Sequence, residues 1–202
     1  SSSSLHEKGT TVNKTLNYGI TLNDGIVDTR DISLNIGDGF GFITEFTPLT
    51  DSGVYNSATN LVYTNNTNPY NLHQFKYEVS FTNSPTISST LNVEFAAPTY
   101  YGSLDLADID ETNIKTLTKR IRKKANDSNL SYTTSLNRFV YAYPSSYGVL
   151  TSIIDPNFFN ITASFTMIVV NFTLVDTSVE SYNVYYNNSD TTLNGFNLSF
   201  NF

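Results

Sequence analysis

Two histidines, eighteen carboxylates and no cysteine are the stock from which this 202-residue chain could build acid–base, metal or nucleophilic chemistry. His6 and His73 lie far apart in sequence, and neither sits beside a Ser or Asp motif of the nucleophile-elbow or triad kind. Asp105, Asp108, Asp110 and Glu111 have the density a hard cation such as Ca²⁺ needs, but they lack the alternating spacing and central Gly of a known Ca²⁺ loop. Carboxylates there equally suit the first turn of a helix, where unpaired N–H groups and the helix dipole favour them. A glycosidase needs two carboxylates held roughly 5–9 Å apart. Glu78, Glu94 and Asp155 each read instead as a turn cap or a solvated side chain. The run Gly37-Asp38-Gly39-Phe40-Gly41 has no strand–helix context for a phosphate cradle and reads as a turn or bulge. The expectation is a non-enzymatic chain with no cofactor and no metal.

Six of the eleven basic residues fall in one short stretch: Lys115, Lys119, Arg120, Arg122, Lys123 and Lys124. Such a cluster could meet phosphate or anionic lipid, or it could be the solvated face of a helix whose C-terminal dipole favours cations. The net charge of −7 argues against a polyanion partner, because affinity for nucleic acid comes largely from phosphate neutralisation. A third reading is a docking patch, formed by Lys119, Arg120, Arg122, Lys123 and Lys124, that meets an acidic neighbouring subunit. No apolar run is long enough to cross a bilayer as a helix.

Tyr and Phe number 14 each. Tyr141 and Tyr143 alternate along a strand pattern and should be buried. Tyr55, Tyr70 and Tyr186 read as loop rings, and with the amides of Asn187 and Asn188 they form a candidate contact surface for sugar or protein. Eight Asn-x-Ser/Thr sequons occur, but composition alone gives about six, so they carry no evidence of glycosylation.

These residues must be positioned by β-structure. Asn, Ser and Thr make up 75 of the 202 residues, while charged residues are only 14%. That bias favours strands and turns over helices. Alternation is clear at Leu16, Tyr18, Ile20 and Leu22, at Ile32, Leu34 and Ile36, at Phe75, Tyr77, Val79 and Phe81, and at Leu91, Val93 and Phe95. Turn signals separate them at Asn23-Asp24-Gly25, Gly37-Asp38-Gly39, the polar loop 65–71 and Asn83-Ser84-Pro85. The fold expected is two tandem antiparallel β-sandwich domains. Residues 1–6 read as a linker, residues 7–96 as an immunoglobulin-like sandwich, and residues 97–202 as a second sandwich carrying one amphipathic helix near 108–125. In that helix Ile114, Leu117 and Ile121 would face the core, with Asp108 or Asp110 as its cap. Without Cys, such a fold needs no particular redox compartment and suits a particle that leaves a reducing cytoplasm.

The stretch Tyr100-Tyr101-Gly102, the segment Ile114-Lys115-Thr116-Leu117-Thr118-Lys119, the run Arg138-Phe139-Val140-Tyr141-Ala142-Tyr143-Pro144-Ser145-Ser146-Tyr147-Gly148-Val149-Leu150 and the following Ile153-Ile154-Asp155 resemble a C-terminal module of tailed-bacteriophage virion proteins. Glu7-Lys8-Gly9-Thr10, leading into the first unit, resembles what precedes that module. The resemblance implies a structural component of the virion exterior, on a tail fibre, baseplate or capsid surface, with a part in host-surface attachment. It implies other virion proteins and host glycan as partners, a homo-oligomer (a trimer in a fibre), and no catalytic residues. Two alternatives stay open: a purely structural joint or decoration domain, and a bacterial adhesin or carbohydrate-binding module.

Overall fold

The computed structural model describes residues 2–20, 26–35, 41–48, 52–56, 61, 72–82 and 84–202. Over these residues the chain is mostly β and divides into two compact units, Ser1–Ala96 and Ala97–Phe202. The turn expected at Asn23-Asp24-Gly25, the run Gly37-Asp38-Gly39-Phe40, the loop 65–71 with Tyr70, and Asn83 lie outside the described residues.

The first unit contains β1 (Ser2–Glu7), β2 (Thr15–Gly19), β3 (Val27–Asn35), β4 (Ile43–Phe46), β5 (Ser52–Asn56), β6 (His73–Phe81) and β7 (Ser84–Ala96). One sheet has the order β1-β7-β6-β3-β4, and β2 pairs with β5 in a second. A five-stranded sheet with β7, β6 and β3 at its centre, beside a separate β2–β5 pair, is compatible with a β-sandwich. Ile32, Leu34, Phe75, Val93 and Phe95 alternate onto the inner face and pack with Tyr55 and Leu61. Residues 2–6 of the expected linker belong to a strand. Ser2 to Glu7 run parallel to β7, from Ser2 opposite Leu91 to Glu7 opposite Ala96, and the His6 ring lies 6.0 Å from that of Phe95. The polar opening of the chain masked this, since parallel pairing draws on backbone groups that every residue carries.

The second unit contains β8 (Pro98–Leu104), α1 (Glu111–Ile114), β9 (Thr118–Ile121), β10 (Asp127–Pro144), β11 (Ser152–Ile154), β12 (Phe165–Thr173), β13 (Val179–Asn187) and β14 (Thr191–Asn201). β10 serves two sets of neighbours in turn. Its first part, from Asp127 to Asn137, pairs with β14, which also carries β11. Its second part, from Arg138 to Pro144, lies between β8 and β13, with β9 and β12 at the outer edges. Register shifts flank Asn129 and Leu136, both of which have positive φ (55° and 59°). Such bulges let one strand bend from one sheet into another.

Alternation along the second half of β10 divides the interior. Val140 and Ala142 face one side, packing with Tyr100, Ile114, Phe172, Tyr182 and Val184. Tyr141 and Tyr143 enter an aromatic cluster that also includes Tyr132, Phe139, Phe200 and Phe202. Tyr141 stacks on Phe200 with centroids 4.1 Å apart, and Phe202 meets Tyr143 edge-on at 4.8 Å.

The helix expected near 108–125 is a single turn. Asp110 caps it as anticipated, its carboxylate accepting the Asn113 N–H at 2.9 Å, and Ile114 is buried. Thr116 and Leu117 then close a tight turn, and Thr118 to Ile121 extend along β8 opposite Tyr101 to Pro98. A helix of that length is marginal without packing on both sides, whereas the open edge of β8 offers a ladder to the β-branched Thr118 and Ile121. Gly102 permits the close approach: a Cβ there would lie 2.8 Å from Leu117 Cδ2.

Burial raises the pKa of Tyr132, Tyr141 and Tyr143 above the ordinary phenol value, and the Asp127 carboxylate adds to the effect at Tyr141. The unfolded chain ionises near pH 10 while the folded chain holds these phenols neutral. Their contribution to stability is therefore complete below about pH 10 and declines as the pH rises further. Tyrosinate absorbance should climb cooperatively, together with loss of the β circular-dichroism signal. A simple titration of all fourteen tyrosines near pH 10 with the fold intact would contradict this packing.

Candidate contact surface

The contact residues expected from sequence that the structure describes are engaged within their own units. Tyr55 lies on β5, not on a loop; its ring is buried against Phe46 with centroids 5.3 Å apart, and its hydroxyl donates to Glu45. Asn187 is buried as well. Its Oδ1 accepts the Phe139 N–H at 2.6 Å and its Nδ2 donates to the Ser189 carbonyl, so it shapes the chain beyond β13. Tyr186 is half-buried against the Val140–Tyr182 side of the interior. Asn188 is exposed but engaged: its N–H donates to the Ser164 carbonyl at 2.9 Å and its Oδ1 accepts from the Thr166 hydroxyl at 2.6 Å. A short run of Tyr and Asn reads as a loop tip in sequence, yet alternation on β13 turns half of it inward.

The basic run divides in the same way. Lys119 and Arg120 sit on β9, Arg122 and Lys123 are half-buried beyond it, and the Lys124 ammonium lies 5.6 Å from the Phe202 ring centroid. Arg120 and Arg122 both pair with Asp127 Oδ1, while the Tyr141 hydroxyl donates to Asp127 Oδ2 at 2.8 Å. The Asp127 side chain is only 3% exposed. Arg122 also donates to the carbonyls of Ala125 and Asn126, each at 2.9 Å, and its own carbonyl accepts the Tyr147 hydroxyl at 2.7 Å. Two of the five cations expected in a docking patch are thus the counter-ions of a buried carboxylate. Lys119, Lys123 and Lys124 are what the outer face retains of that expectation.

Asp110 is a helix cap. Glu111 pairs with Lys115 at 2.5 Å and accepts the Thr173 N–H at 2.6 Å, contacts that hold its carboxyl below the usual range, the Lys115 bond foremost. His6 and His73 both pack on Phe95. Among the described residues no three His, Asp or Glu side chains converge. A cleft of about 330 Å³ in the first unit, lined by Leu16, Tyr18, Ile32, Phe75, Tyr77 and Leu91, opens between its two sheets.

Among the described residues the most exposed rings are Phe158 and Phe159, at 90% and 67% exposure. They sit on a turn built by Asp155. Its Oδ1 accepts the N–H groups of Asn157 and Phe159 at 2.9 and 2.8 Å, and its carbonyl accepts that of Phe158 at 3.0 Å. The Asp155 N–H in turn donates to the Phe159 carbonyl at 3.0 Å. Beyond the turn, Asn160 bridges to Ile154, and Asn160 Oδ1 accepts both the N–H and the hydroxyl of Thr162. Phe158 adopts φ +66°, a conformation bulky side chains rarely take. This turn therefore holds two apolar rings in water, one with a strained backbone, and a closed ring of hydrogen bonds fixes it. Sequence reading assigned Asp155 to a generic cap and did not single out the rings. The signal was present in Asp155-Pro156-Asn157, a turn signature followed directly by two large apolar residues.

No protein-family model matches the chain, and no curated protein matches it in sequence.

Two outcomes are expected in urea unfolding. Asp127→Ala should cost about 3–5 kcal/mol, because it leaves the Arg122 guanidinium and the Tyr141 hydroxyl without their shared acceptor. Phe158→Gly should leave stability unchanged or raise it by about 0.5–1 kcal/mol, because glycine adopts positive φ without strain. A loss exceeding 1 kcal/mol at Phe158 would mean that its ring packs within the fold (order of magnitude).

Proposed function

We propose that this chain is a non-enzymatic structural component of a tailed-phage particle, exposed on a tail fibre, baseplate or capsid surface, and that it engages a neighbouring virion protein through Phe158 and Phe159. The observation that carries the reading is the Asp155 turn, which presents two phenylalanine rings rather than groups that could do chemistry. Exposed aromatic anchors on a pre-ordered loop suit insertion into an apolar pocket, since little conformational freedom is lost on binding. The likeness of residues 100–155 to a virion module supports the location. Attachment to host-surface glycan is the second reading. It draws on the exposed Asn157 amide beside the rings, because sugar faces stack on aromatics while amides take the hydroxyls.

Antibody raised against the chain should label intact purified particles, and failure to label them would overturn the location. Particles carrying Phe158→Ser and Phe159→Ser together should lose the protein during assembly while the isolated variant still folds. Saturable binding of the labelled wild-type protein to host cells, abolished by stripping their polysaccharide and by the same double change, would transfer the rings to the glycan reading.

A further inference from the structure

The two outer edges of the sheet around β10 are built in opposite ways. At one edge, β9 carries Lys119 and Arg120, and charge of this kind discourages another strand from pairing there. At the other, β12 reads Phe-Thr-Met-Ile-Val-Val-Asn-Phe-Thr. It is nine residues long and has no charge, no proline and no glycine.

The register defines what that edge offers. Leu174 donates to the Ser178 carbonyl and Asn188 donates to the Ser164 carbonyl, so even-numbered residues of this hairpin bond across to β13. Odd-numbered residues therefore direct their N–H and C=O groups away from it. At Thr173 both groups are taken, the N–H by Glu111 and the carbonyl by the Lys115 ammonium, each at 2.6 Å. The Phe165 N–H donates to the Thr162 carbonyl, while the Phe165 carbonyl and the outward groups of Met167, Val169 and Asn171 have no backbone partner among the described residues. The apolar side chains of Met167 and Val169, 39% and 60% exposed, lie along the same stretch.

We infer that this edge pairs with the same edge of a second copy of the chain, antiparallel about a two-fold axis at Ile168. The midpoint of the open stretch, from the Phe165 carbonyl to Asn171, is Ile168. In that register Phe165 faces Asn171 of the second copy and Met167 faces Val169, so the N–H groups of Met167, Val169 and Asn171 meet the carbonyls of Val169, Met167 and Phe165, three N–H and three C=O groups on each copy. The Glu111–Lys115 cap at Thr173 ends the ladder where the other copy's β12 begins. A second copy fits better than an unrelated strand for two reasons. The open stretch is complementary to itself in length and register. It is also an uncharged strip, with no Asp, Glu, Lys or Arg from Phe165 to Val175, on a chain whose net charge of −7 otherwise repels its own kind. The pairing does not depend on where the protein resides, so it stands or falls separately from the virion reading.

Sedimentation of the full chain across a range of concentrations tests this. A reversible dimer is expected, with Val169→Lys weakening association by at least ~tenfold because like charges then meet along the ladder. Val175→Lys, beyond the capped Thr173, should leave association unchanged. Since the chain has no cysteine, Ile168→Cys tests the register: a residue on the axis meets its own copy, so mild oxidation should link the dimer covalently, whereas Thr166→Cys should not. Amide exchange gives a reading without substitution, with protection at Met167, Val169 and Asn171 appearing in the dimer and lost on dilution. A wild-type chain that stays monomeric at every concentration, or a dimer indifferent to Val169→Lys, would overturn the proposal.

Discussion

The second unit depends on β10 serving two sets of strands, and on what keeps it there. A strand that leaves one partner for two others must bend, and bends at Asn129 and Leu136 break the ladder that would otherwise hold it straight. The buried Asp127 carboxylate lies at the start of this strand and ties it to three places at once: to Arg120 on β9, to Arg122 beyond β9, and to Tyr141 on the second half of β10 itself. A lone carboxylate so buried would be costly, and the two guanidiniums and a phenol offset that cost only while the bend is in place. The ion network and the aromatic stack of Tyr141 on Phe200 therefore support one another. Each fixes the geometry that the other needs.

The basic run takes on a different meaning in this light. As a helix it would have been a solvated face with a dipole to complement. As β9 it supplies counter-ions inward and charge outward, and its outward lysine guards an edge of the sheet. The one helical turn that remains works from the opposite side. Asp110 caps it, Ile114 anchors it in the core, and Glu111 with Lys115 reaches the last residue of β12. The segment between β8 and β9 thereby closes one end of the far edge and leaves the other end open.

Strand alternation was legible wherever one face is buried. Ile32 and Leu34, Phe75 and Val79, Val93 and Phe95, and Tyr141 and Tyr143 all read correctly, because a period of two is set by the pleat alone. The helix near 108–125 did not, since Ile114, Leu117 and Ile121 satisfy helical spacing while a vacant strand edge decides the outcome. Tyr55 and Asn187 were misread for a related reason: whether a polar ring or amide faces in or out depends on register, which local composition does not carry. The Arg120–Arg122–Asp127 cluster could not be paired from sequence either, because the approach of these side chains follows from the turn after β9.

The residues that carry the likeness to a virion module have structural work in this fold. Gly102 admits Leu117, Tyr141 holds Asp127, and Tyr143 donates to the carbonyl of Gly148, whose φ of +88° suits glycine. Asn183 donates to that same carbonyl, and Tyr147 reaches back to Arg122. A run so occupied with its own packing has few groups left with which to bind anything else. Phe158 and Phe159, projecting just beyond the run on a turn that Asp155 closes, are the aromatic rings of this unit that packing leaves most exposed.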